Sequence, residues 1–419
     1  MILQARFVVP VDSPPIEGGA VVVEHGRITA VGRASDLRGT DALDYGDAVI
    51  TPGFVNAHTH LELSSLAHQV PPTPDFIDWL RRLIAAMPPT TSNPSEQKEN
   101  IQTAVRTGVA LSLAAGVTTI GDITRHPHWT REILAASEVR GVSFGEITAI
   151  GRGRHLLGER LASAASTEYQ TERLRVGLSP HAPYSVEPDA MRACAERARV
   201  LALPLCIHAA ETADEEEFTS RREGRFVDFL GELGVWDEEI RAAGCGSVEL
   251  CRLTGLLGPR TVLAHANYVS DGEITQVANH GASVAYCPRT HHAFHHPAHR
   301  FRDMLEAGVN VCIATDSLAS NPSLSILDEL RFLRNAHRSL PSLELLAMGT
   351  RRGAQALGFA DTVGTLTVGK AADLVVIPLD PSQRIDAWDQ ILTSAAQPIQ
   401  VYVDGVPHLG TIDAATDQR

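Results

Sequence analysis

Two histidines one residue apart, His58 and His60, sit near the end of residues 51–64, T-P-G-F-V-N-A-H-T-H-L-E-L-S. An apolar run of Val49, Ile50, Phe54 and Val55, broken by Pro52 and Gly53, leads into them. Such a run reads as a strand buried on both faces. Side chains two apart on a strand share a face, so both imidazoles can point at one ion. Later apolar runs end the same way: His181 follows residues 174–179, His208 ends 203–208, His265 ends 261–265 and Asp316 ends 309–316. Any one of these could be an ordinary polar residue at a strand end. Together, ligand-type residues at five of eight run ends point to a metal site.

The elements that must position them follow from the same runs. Residues 116–122, 142–147 and 283–287 complete a set of eight short apolar runs, and helical spacing recurs over 75–87, 96–115, 188–201 and 324–340. Eight alternating strand–helix units close a barrel, whose active site lies at the C-terminal ends of the strands. Before residue 48 the apolar–polar alternation of 20–23 and 27–32 around Glu24-His25-Gly26 reads as a hairpin, and strand patterns return at 371–377 and 401–406. The chain therefore divides into a discontinuous β-domain of residues 1–48 plus 364–419 and a catalytic barrel of 49–363.

Composition narrows the partners. A net charge of −14 and a pI near 5.7 exclude a nucleic-acid or anionic-membrane surface, since holding phosphates needs a positive field. The six cysteines show no C-x-x-C spacing and read as free thiols of a reducing compartment. No stretch is long and apolar enough to cross a membrane, and the expected location is cytoplasmic. The expected partner is a small-molecule substrate; a homodimer is compatible with the sequence.

With these residues in place, a resemblance becomes specific. The T-P-G-F-V-N-A-H-T-H stretch, H-A-A-E at 208–211, H-A-N at 265–267, C-P-R at 287–289, A-T-D-S at 314–317 and G-x-x-A-D-L-V at 369–375 resemble the amidohydrolase superfamily, in its cytosine-deaminase and chlorohydrolase-like branch. The resemblance spans nearly the whole chain. It implies an α/β fold, a (β/α)8 TIM barrel with a small β-sandwich built from both termini. It also implies that His58, His60, His208 and Asp316 hold one divalent metal while Glu211, His265 and Asp316 act on water and substrate. Residue chemistry agrees: three imidazoles and a carboxylate suit Zn2+, with Fe2+ as the alternative, and lower the pKa of a coordinated water towards about 7. Glu211 is placed to move a proton from that water to a substrate nitrogen, although the same position suits a solvated loop glutamate. Many relatives bridge two metals through a carboxylated lysine. The only lysines here are Lys98, in a predicted helix, and Lys370, in the β-domain, so one metal is expected.

The substrate reading rests on resemblance. Residues 179–185, S-P-H-A-P-Y-S, are similar to a segment of deaminases acting on adenosine-like substrates, which makes His181 a substrate contact. Glu62 and the C-P-R-T-H-H-A-F segment at 287–294 are similar to aminodeoxyfutalosine deaminases of menaquinone biosynthesis. That substrate is an adenine nucleoside bearing a benzoate, whose carboxylate wants a guanidinium; Arg152, Arg154 and Arg289 all fall in predicted loops at strand ends. The cluster His291, His292, His295, His296 and His299 is a weaker pointer to a second metal site. Deamination or dehalogenation of a triazine or pyrimidine would use the same cage, and a metal-free scaffold is the non-enzymatic alternative.

Overall fold

The order of strands follows the order of apolar runs. The computed structural model describes residues 1–37, 42–87, 93–383 and 385–408. Five strands come first: β1 (Ile2–Val8), β2 (Ile16–Glu24), β3 (Arg27–Arg33), β4 (Ala42–Asp44) and β5 (Ala48–Pro52). The barrel follows as β6 (Phe54–Thr59), β7 (Val117–Thr124), β8 (Arg140–Ile147), β9 (Leu174–Pro180), β10 (Leu205–Ala209), β11 (Thr261–His265), β12 (Ser283–Tyr286) and β13 (Asn310–Ile313). Each pairs in parallel with its sequence neighbour. The seam between β13 and β6 is closed just beyond β13, where Asp316 N–H donates to the His58 carbonyl at 3.1 Å and Thr59 Oγ1 donates to the Asp316 carbonyl at 2.8 Å. Asn56 reinforces it by donating to Thr315 Oγ1 (2.7 Å) and accepting from Thr315 N–H (3.1 Å).

The chain returns to its start through β14 (Leu374–Pro378), β15 (Gln400–Val403) and β16 (Val406–His408). These join the first strands in one sheet ordered β16-β15-β14-β5-β1-β2-β3, with β4 beside β1. Leu3, Val8, Val21, Ile28, Ile50, Leu374, Val376 and Tyr402 meet in a core of its own. Residues 409–419 and 38–41, assigned by sequence to this domain, lie outside the described residues, as do 88–92 of the barrel.

One element differs from its sequence reading. The run from Val49 to Val55 is two strands in two sheets: β5 pairs with β1 and β14, and β6 belongs to the barrel. Both are wholly buried, so hydrophobic pattern cannot separate them. Gly53 makes the crossing, because a Cβ there would come within 2.2 Å of Thr118 Oγ1.

The predicted helices over 75–87, 96–115, 188–201 and 324–340 form at Phe76–Ala86, Pro94–Ala114, Pro188–Leu201 and Ile326–Ala336. Asp75, Asn93 and Ser325 cap three of them by accepting from first-turn N–H groups. A buried arginine ties outer helices to the strands. Arg131, on the helix Pro127–Ala136, donates to the carbonyls of Ala164 (2.8 Å), Ser166 (2.9 Å) and Ser143 (3.1 Å), and burial draws its pKa down to about 10. Replacing it with leucine strands these carbonyls in an apolar interior, so Arg131→Leu is expected to cost roughly 2–5 kcal/mol of unfolding free energy. Urea denaturation followed by tryptophan fluorescence measures it, and a loss below about 1 kcal/mol would show that the carbonyls find other donors.

Candidate active site

The strand ends bring the predicted ligands together. His58 is the penultimate residue of β6 and fully buried; His60 follows the strand, His208 lies on β10 and His265 ends β11. Backbone geometry at these ends is unusual. His265 (φ 71°), Ala266 (φ 51°), Ala210 (φ 53°) and Asp316 (φ 60°) are all left-handed without being glycine, a conformation that persists only where the surroundings enforce it. The strand-closing hydrogen bonds of Asp316 supply that enforcement at one of them.

Ligand atoms of His58, His208 and His265 lie within 4.8 Å of one another, as do those of His58, His60 and Asp316. His60 Nε2 is 3.3 Å from His208 Nε2 and 3.5 Å from Asp316 Oδ1; His58 Nε2 is 3.7 Å from the same oxygen. Tautomers follow from the partners. His208 Nδ1 donates to the His181 carbonyl at 2.9 Å, so its Nε2 carries a lone pair towards His60. His58 Nδ1 faces Cys206 Sγ at 3.7 Å, and its Nε2 is enclosed without any hydrogen-bond partner. Burial above all holds the His58 and His60 imidazoles neutral, and it pulls His208 down to about 4. Neutral imidazole nitrogens facing one another beside a carboxylate fit a divalent cation and little else. Asp316 Oδ2 accepts from Ser320 Oγ at 2.6 Å, which fixes the carboxylate so that Oδ1 faces the imidazoles.

The acid–base candidates sit beside this cage. Glu211 Oε1 is 3.5 Å from His265 Nε2, and both side chains are buried. Burial, with Asp316 and Glu215 near, pushes the Glu211 carboxyl well above the usual range, so it can hold a proton near neutrality. Glu215 was not singled out by spacing, because Glu215, Glu216 and Glu217 read as a solvated acidic run. It is fully buried, and its carboxylate accepts the backbone N–H groups of Ala210 (2.8 Å) and Glu211 (2.9 Å), fixing the turn that carries Glu211.

The substrate-side residues divide. The His181 carbonyl positions His208, its Nδ1 contacts Ser185 Oγ at 2.6 Å, and its ring is 5.1 Å from that of His208. Glu62 accepts from Arg125 N–H and Thr124 Oγ1, both at 3.1 Å, and faces His126 Nδ1 at 3.2 Å. Burial raises its pKa, but the bond to His126 and the charges of His126 and Arg125 outweigh it and leave Glu62 below its usual value. Arg154 is engaged by Glu187 (2.9 Å), Asp237 (2.8 Å) and Glu239 (3.1 Å), and Arg289 by Ser323 (2.9 Å) with Glu329 at 3.7 Å. Both guanidiniums have partners already. Arg152 is exposed, and its backbone is tied to Val235. Two strand-end charges stand nearer the cage. Arg125 follows β7 with a half-exposed guanidinium whose nearest carboxylate, Glu146 on β8, is 4.0 Å away. The strand-end rule that finds the histidines would have found both.

A parallel barrel whose strand ends gather imidazoles and a carboxylate around a buried acid–base pair defines a metal-dependent barrel hydrolase. A model of the amidohydrolase family matches residues 49–407, and the chain belongs to that family. It is similar to a 5-methylthioadenosine/S-adenosylhomocysteine deaminase of Syntrophobacter fumaroxidans, 28% identical over 403 residues, covering 91% of this chain and 84% of the relative. It is also similar to a 5'-deoxyadenosine deaminase of Methanoregula boonei, 27% identical over 350 residues, covering 80% and 72%. Among solved structures, Helicobacter pylori aminofutalosine deaminase in complex with methylthio-coformycin superposes with a TM-score of 0.85 at 25% identity, covering 97% of this chain and all of that one.

Neither lysine can bridge a second ion. Lys98 pairs with Glu132 at 2.8 Å on the outer helices, and Lys370 Nζ donates to the Val363 carbonyl at 3.2 Å. Elemental analysis of purified protein is therefore expected to approach one divalent metal per chain, and Asp316→Asn should lose most of it. A reproducible content near two would refute a single-ion cage.

Proposed function

We propose that this amidohydrolase removes the 6-amino group of adenine nucleosides, with Zn2+ held by His58, His60, His208 and Asp316 and with 6-aminodeoxyfutalosine as the preferred substrate. One observation carries the reading: the proton-holding Glu211 and the neutral His265 lie 3.5 Å apart beside that donor set. The ion, when bound, supplies the Lewis acidity that makes water nucleophilic near neutral pH. Glu211 takes a proton from the attacking water and delivers it to the purine ring nitrogen beside the amino-bearing carbon. His265 steadies the oxygen as that carbon becomes tetrahedral, and Asp316 passes the second water proton to the departing nitrogen. Water and amine go in; oxopurine and ammonia come out.

The relatives support the class of substrate. Methylthioadenosine, S-adenosylhomocysteine, deoxyadenosine and aminofutalosine are all adenine nucleosides, and their names differ mainly in what replaces the 5'-hydroxyl. Of the arginines near the mouth, Arg125 is the one placed to receive an anionic 5'-extension, because Arg154 and Arg289 already have their acids. A second reading, a methylthioadenosine/S-adenosylhomocysteine deaminase, is favoured by the length of the match to that relative.

Glu211→Gln keeps the size and removes the acid, so turnover should fall by roughly 10² or more while metal content stays near wild type. Loss of metal along with activity would make Glu211 a ligand instead. Comparing kcat/KM for aminodeoxyfutalosine, S-adenosylhomocysteine, methylthioadenosine, 5'-deoxyadenosine and adenosine ranks the substrates. Arg125→Gln is expected to cost about 10–100-fold with a carboxylate-bearing substrate and little with 5'-deoxyadenosine. A uniform loss across the panel removes Arg125 from substrate recognition; reaction with only pyrimidines or triazines removes the purine reading.

A further inference from the structure

The histidine-rich segment after β12 is not used by the mechanism above. Among the described residues, the only groups of three ligand atoms that converge are the two that include His58, so this segment does not form a second cage. His292 and His295 point to solvent. His291 is buried and donates to the Pro297 carbonyl, and His296 Nδ1 meets the Tyr268 hydroxyl at 3.2 Å. His299 does something else. Its Nε2 is 2.8 Å from the backbone carbonyl of His265, a residue 34 positions earlier in the chain.

A carbonyl only accepts, so His299 must be the Nε2–H tautomer and must donate. Its ring is fixed by a stack: Tyr286 lies parallel at 3.9 Å and 14°, with Phe301 on the same tyrosine at 5.4 Å and 21°. Its Nδ1 is enclosed and unpartnered, and burial holds the imidazole neutral, with a pKa drawn down to about 3. The donor is therefore constant across any working pH. The acceptor is the carbonyl of a left-handed residue, His265, followed by a second left-handed residue, Ala266. Ala266 N–H is already directed to the Ala209 carbonyl at 3.1 Å. With one peptide group pinned on the far side of His265 and its carbonyl pinned by His299, the torsions that aim the imidazole have little freedom.

We propose that His299 is a positioning residue, whose hydrogen bond to the His265 carbonyl holds that imidazole in line with Glu211. The proposal rests on the role assigned to His265 above. It gives the His-rich segment a purpose that needs no second ion: a neutral, stacked donor strapped across the strained end of β11. Asparagine cannot replace it, since its amide falls short of the Nε2 position, whereas glutamine reaches.

The test is a double-mutant cycle on the metal-loaded enzyme with the best nucleoside from the panel. His299→Leu should lower kcat by about 10-fold or more with KM within about twofold, and with metal content and melting temperature near wild type. His299→Gln should recover most of the rate and His299→Asn little of it, which keeps the comparison intact if the leucine variant folds poorly. In a His265→Asn background the same substitutions should change kcat by less than about twofold. Full activity in His299→Leu, or an equal loss in both backgrounds, overturns the proposal. If His265→Asn itself turns over at the wild-type rate, the catalytic reading of His265 fails and the positioning role fails with it; an intact His265 effect with a silent His299 sinks the latter alone.

Discussion

Nitrogen lone pairs do not crowd one another without something positive between them. At the mouth of this barrel His58, His60 and His208 are driven together by the strands they sit on, 3.3 Å apart at the closest approach, with the Asp316 carboxylate against them. The surroundings are too buried for the imidazoles to relieve the crowding by taking up protons. A divalent cation satisfies every one of these donors at once. Much of the nearby construction supports that single requirement: Ser320 turns Asp316, the His181 carbonyl turns His208, and Cys206 backs His58.

The cage was legible in the sequence because metal ligation needs rare residue types at places that strand periodicity can locate. Run ends gave His58, His60, His208, His265 and Asp316, and the structure gathers all five. The helices were legible for a similar reason, since apolar spacing and caps such as Asp75 and Ser325 mark them locally. The division of residues 48–59 between two sheets was not legible, because β5 and β6 are both buried on every face and only a contact with Thr118 explains Gly53. Glu215 was hidden by composition: three consecutive glutamates look solvated, and nothing local reveals that the first of them turns inward to two backbone donors.

Substrate-side charge was the least legible part, since an arginine's availability depends on which acids reach it. Arg154 reads as a free loop guanidinium until Glu187 and Asp237, 33 and 83 residues away, are seen to clasp it. Arg125 has no such clasp, and Glu62 spends its oxygens on the backbone and side chains that follow β7, Arg125 among them. The rim is thus a set of arginines sorted by their neighbours into braces and one open hand.

The seam of the barrel adds a matter of timing. Thr59 and Asp316, which close it, are 257 residues apart, and the bond between them lies beside the ion. A chain leaving the ribosome presents its first two imidazoles early and the third much later, but the carboxylate arrives only with the last barrel strand. Until then the incomplete set is all imidazole, a softer and less selective trap than the finished one. Closing the ring and completing the ligand sphere are one event, so the choice of ion falls at the end of folding, when the protein is already nearly shaped around it.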